Sequence, residues 1–138
     1  MIIVGIMLEG RILSHWIERR EKKLILHILS KEQWLAAQDK GMYTPPSLNT
    51  TGFVHCSTSE QIVEVANSLF RGQTGLVLLV IDPKKVSANV VFEDPYNLGS
   101  LFPHIYGPLN LDAVVEIMEF PPQKDGSFAL PQKMNAYS

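Results

Sequence analysis

Six consecutive apolar residues, Leu76-Val77-Leu78-Leu79-Val80-Ile81, stop sharply at Asp82-Pro83. A strand with no polar side predicts burial on both faces, so any fold open to this chain must cover this segment from two directions. A covering element lies just upstream. Ile62, Val65, Ala66, Leu69 and Phe70 recur at i, i+3, i+4, i+7 and i+8, which predicts a helix with one apolar face, and Gly72 is a fitting stop. Ser57-Thr58-Ser59-Glu60 has the spacing of a capping box, with Ser57 accepting from a helix amide and Glu60 reaching back. A strand over residues 53–56 leads into it.

The remaining pattern is read the same way. Residues 24–29 predict a strand, Ser30 an N-cap, Lys31–Lys40 a helix and Gly41 its stop. Pro45-Pro46 makes residues 43–51 an extended loop. Further strands are expected at 90–93, at 104–106 before the Gly107-Pro108 turn, and at 113–120, with a loop over 94–99. The stretch 122–138, after Pro121-Pro122, reads as a peripheral tail. Five or six short strands with two helices near the start imply an α+β domain over 24–121, since too few helices alternate with strands for a doubly wound sheet.

Composition removes several classes of function. Cys56 is the single cysteine among 138 residues, which excludes an internal disulfide and a Cys-cluster zinc site and suits a reducing cytoplasm. A net charge of −2 gives no basis for nucleic-acid binding. Residues 1–23 carry five Lys or Arg against three acids, the rest seven against eleven. The apolar start, residues 1–8, is too short to span a bilayer and lacks the charged start and cleavage site of a secretory signal. No membrane association is expected.

His27, His55 and His104 all fall on predicted strands beside a turn or cap. By alternation Phe53, His55 and Ser57 share a face, as do His104 and Tyr106. If these faces converge they wall a cleft with imidazoles, a phenol and a hydroxyl. The helix start near Ser57 would add free amides suited to a phosphate, although capping alone also accounts for Ser57. Each histidine taken singly also fits an ordinary structural hydrogen bond. The three with Glu93 form a candidate zinc or iron set, but no H-x-H or H-x-x-x-H spacing backs it, and no metal is expected. His55 and Cys56 are adjacent on a strand and point to opposite faces, which excludes a Cys–His nucleophile. If a glycosidic bond is broken, a carboxylate must steady the oxocarbenium ion; Glu93 is the first candidate, Glu116 and Glu119 the alternatives.

The blocks Leu26-His27-Ile28-Leu29-Ser30, Tyr43-Thr44-Pro45-Pro46-Ser47-Leu48, Gly52-Phe53-Val54-His55-Cys56-Ser57-Thr58, Val77-Leu78-Leu79-Val80-Ile81-Asp82 and Phe102-Pro103-His104-Ile105-Tyr106-Gly107-Pro108-Leu109 resemble, in order, the bacterial family called domain of unknown function 952. The resemblance runs from about residue 24 to 120. It implies a compact ADP-ribosyltransferase-like fold, a split pair of small antiparallel or mixed sheets with an NAD site between them. The order of motifs is also similar to that of the RNA 2′-phosphotransferases. On that resemblance His27 holds the adenosine-side ribose, His55 and Ser57 fill the second motif, and Tyr106 or Phe53 stacks on a nicotinamide-like ring.

Arg71 is the only arginine in 24–138, a departure that argues against a 2′-phosphate substrate. The implied protein is a small cytoplasmic one that binds NAD or a related nucleotide through His27, His55, Ser57, His104 and Tyr106. Glu93 and His55 would be catalytic in transferring ADP-ribose or cleaving the nicotinamide bond. Two alternatives remain open: a non-enzymatic binder using the same cleft, and a histidine-based metal enzyme. Family members begin just before the first-strand histidine, which implies that Leu24 corresponds to a non-standard initiation codon and that 1–23 is an extension.

Overall fold

The structure is a computed structural model and describes residues 23–137, so the extension expected over 1–23 lies, but for Lys23, outside the described residues. The elements run β1 (Ile25–Ser30), α1 (Lys31–Lys40), β2 (Met42–Tyr43), β3 (Val54–His55), α2 (Ile62–Leu69), β4 (Leu76–Ile81), β5 (Asn89–Glu93), β6 (Phe102–Tyr106), β7 (Leu109–Asn110) and β8 (Val114–Glu119). All strand pairs are antiparallel. The class is α+β, with two three-stranded sheets of order β1-β4-β8 and β3-β6-β5 and a two-stranded β2-β7 pair.

The central strand behaves as its composition requires. Every residue of β4 is buried, between β1 and β8. Its Val77, Leu79 and Ile81 join Ile25, Leu29, Trp34 and Val54 in one core, while Leu76, Leu78 and Val80 join Leu26, Ile28, Ile62 and Ala66 in another. The second core reaches further along the chain than its pattern suggested. Phe128 and Met134, in the stretch expected to be peripheral, are buried in it, and Phe128 packs on Phe120 at a ring-centroid distance of 4.9 Å.

The two serine caps end differently. Ser30 and Gln33 form the full box: Gln33 N–H donates to Ser30 Oγ at 3.0 Å and Ser30 N–H to Gln33 Oε1 at 2.9 Å. Gly41 closes α1 in the left-handed region at φ +79°, as a side chain would resist. Ser57 does not cap. Its N–H and C=O both bond Leu26, at 2.8 Å each, which holds it extended. A turn over residues 58–61 must therefore precede the helix, and Gln61, not Glu60, reaches back, accepting from Thr58 N–H at 3.0 Å. Glu60 is exposed and pairs with Lys23 at 3.5 Å. The expectation of free amides at Ser57 is corrected accordingly.

Candidate functional site

The Leu26–Ser57 bridge brings the end of β3 against β1, and a cleft of about 390 Å³ opens beyond it along the edge of β1. Its walls are β1, the apolar face of α2 and Pro45-Pro46. Gln33, Tyr43, Ser47, His55 and Ser57 supply polar groups, and no Asp, Glu, Lys or Arg lies among its described lining residues.

Backbone geometry adds a polar feature that side-chain patterns do not show. In an antiparallel ladder, alternate residues turn N–H and C=O toward and away from the partner strand. Leu26 turns outward to Ser57, so Ile28, two residues on, faces the same way, into the cleft. Neither group of Ile28 is hydrogen bonded to a described residue. The Ser57 hydroxyl likewise has no partner, and it lines the same cleft. Because no buried side-chain oxygen or nitrogen lacks a partner, this hydroxyl keeps some exposed surface.

His27 is buried at the base of the cleft. Its Nδ1 lies 2.6 Å from the His55 carbonyl and its Nε2 2.8 Å from the Tyr43 hydroxyl. A carbonyl only accepts, so Nδ1 carries the proton and Tyr43 donates to Nε2. Burial lowers the pKa of His27 to about 4, against an opposing contribution from the His55 carbonyl. Burial also raises that of Tyr43. Both nitrogens of His27 are thus engaged inside the protein.

The other sequence-selected residues gather on one face of the second sheet, where His104 is buried and Tyr106 exposed. His55 pairs with His104 across β3 and β6, and their rings meet edge to face at 5.6 Å. The His104 ring lies on Phe53 at 3.9 Å, nearly parallel, and its Nδ1 is 3.0 Å from Glu93 Oε1. Tyr106 donates its hydroxyl to the same Glu93 oxygen. Those two bonds, Tyr106 first, hold the Glu93 carboxyl below its ordinary pKa, and the Tyr106 phenol is correspondingly raised. Burial, then His104, lowers the pKa of His55, whose Nε2 is 3.3 Å from the Tyr96 hydroxyl.

The five expected binding residues therefore form two adjoining groups. His27, His55 and Ser57 line the cleft; His104 and Tyr106 sit with Glu93 beyond His55, which belongs to both. Glu116 and Glu119 are on β8, with β4 between them and β1. Glu116 pairs with Lys133 at 3.4 Å and Glu119 with Lys31 at 3.1 Å. Cys56 points the other way from His55 into the first core, where burial raises its pKa. Among the described residues no three His, Cys, Asp or Glu side chains are grouped to hold a metal ion. No helix among them is long and apolar enough to cross a membrane.

Tyr43, Tyr96 and the Ile28 backbone were not singled out by sequence. Tyr43 and Ile28 both lie inside matching blocks, but only Tyr43 has a side chain whose chemistry could have been followed.

Comparison with solved structures gives the crystal structure of protein CC0527 from Caulobacter crescentus, 31% identical, with a TM-score of 0.71 over 83% of this chain and 96% of that one. The solution NMR structure of the same protein gives 0.62 over 82% and 95% at the same identity. The comparison with curated proteins finds no match. Residues 28–117, which include most of the cleft lining, though not Leu26 or His27, and the whole second-sheet cluster, match the family described as Protein of unknown function (DUF952), and the chain belongs to that family.

Proposed function

We propose that the cleft binds a ligand with a planar head bearing a carboxamide, NAD through its nicotinamide being the leading candidate. The protein then transfers ADP-ribose or cleaves the nicotinamide–ribose bond. The observation that carries this reading is the outward-facing pair on Ile28: one N–H and one C=O on a strand edge match the acceptor and donor of a carboxamide. The apolar walls suit the ring, and His55 and Ser57 stand where ribose hydroxyls would follow. A cleft lined from two small sheets also fits an ADP-ribosyltransferase-like arrangement. The neutral lining leaves the diphosphate to solvent at the mouth, which disfavours a substrate recognised by its phosphate.

A second reading, binding without chemistry, is favoured by one observation: Glu93 does not line the cleft. Calorimetric titration of the full chain with NAD, with nicotinamide and with ADP-ribose addresses binding. NAD and nicotinamide should bind and Ser57→Ala should weaken NAD by up to about tenfold, the worth of one hydrogen bond. Absence of binding by all three overturns the proposal. Nicotinamide release then separates enzyme from binder, with Glu93→Gln expected to slow it.

A further inference from the structure

We propose that His104 is the general base of this site, oriented by Glu93 to take the proton of a hydroxyl or water held beside His55. The inference rests on the reaction proposed above and assigns it a residue that the cleft alone does not. A carboxylate only accepts, so the 3.0 Å contact with Glu93 puts the His104 proton on Nδ1 and leaves the lone pair on Nε2. Among the described residues Nε2 has no partner; the His104 side chain is 3% exposed, and Nε2 reaches that remaining surface, since no closed-off side-chain nitrogen is left unpaired. Three neighbours fix the imidazole. Phe53 fixes its plane from below, Glu93 on β5 fixes its rotation, and Tyr106 on β6 fixes Glu93 in turn. His55 on β3 is the titratable group facing it from the cleft side, at 5.6 Å.

An imidazole held in one tautomer by a carboxylate needs no rearrangement to accept a proton, which is what general base catalysis requires. In the step, the acceptor O–H proton moves to His104 Nε2 as its oxygen bonds to ribose C1′. The C1′–N bond breaks with its electron pair passing to the pyridinium nitrogen. Nicotinamide leaves neutral, and the proton on His104 passes to solvent. Glu93 is on this account a positioning residue.

Diethyl pyrocarbonate, which acylates unprotonated imidazole nitrogens, tests the orientation on the full chain at neutral pH with peptide mass analysis. His104 should be modified and His27 spared, and Glu93→Gln should slow His104 at least fivefold. An unreactive His104, or one equally reactive in both proteins, overturns the proposal. Nicotinamide release tests the role: His104→Gln should bind NAD as before but lose about 10²–10⁴-fold in rate. Binding with an unchanged rate overturns it. If NAD is not bound at all, the cleft reading fails, and the labelling still decides whether His104 is an oriented base.

Discussion

His27 is a side chain of the cleft whose titration bears on stability below neutral pH. It is neutral and enclosed, with a pKa near 4 in the fold and 6.5 when free. The unfolded chain therefore binds a proton that the folded chain refuses, and stability falls as pH drops from 6.5 toward 4. The full difference amounts to about 3.5 kcal/mol at 1.4 kcal/mol per pKa unit. Urea midpoints measured between pH 7 and pH 4 should fall steadily, and His27→Gln should flatten the decline in the upper part of that range; an unchanged slope in that variant would remove His27 as the cause. Position on strands near turns was enough to select His27, His55, His104 and Glu93 from sequence. Their partners were harder to see. Tyr43 meets His27 only because β1 and β2 are folded together, and a backbone group such as that of Ile28 has no residue type to announce it.

At the level of elements, two similar local signals had different outcomes for a reason the wider fold supplies. Ser30 precedes a helix with its backbone free to turn, and both halves of its capping box form. Ser57 is committed by two backbone bonds to Leu26, so the same motif cannot close. Ser30→Ala should therefore cost about 1 kcal/mol, while Ser57→Ala should shift stability by less than about 0.5 kcal/mol. Denaturant midpoints of the two variants, side by side, check this, and equal losses would contradict it. The helices, β4 and the strand containing His55 were legible because periodicity and apolar runs are local. The pair β2-β7 consists of two-residue strands, too short to leave a pattern.

Across the whole molecule, the fold depends on residues far apart in the chain. The second core closes only when Phe128 and Met134 return over β4 and Phe120. Phe128→Ala should cost about 3–5 kcal/mol by cavity formation, read by thermal or urea unfolding; a loss within 0.5 kcal/mol would show that the segment contributes little. Isolated apolar residues between glycine, proline and charge have no periodicity, which is why the tail looked peripheral in sequence.

The bridge between Leu26 and Ser57 sits at one end of the cleft, and β1 runs on from it to Ser30 with its outer edge unpaired. The two three-stranded sheets are thus bound like a book at its spine. Near the spine, hydrogen bonds fix the gap. Beyond the bridge, side chains set the width, those of Gln33, α2 and Pro45-Pro46 among them. Ligands that differ in bulk at that far end meet a wall that adjusts, whereas any change beside Ser57 meets one that does not.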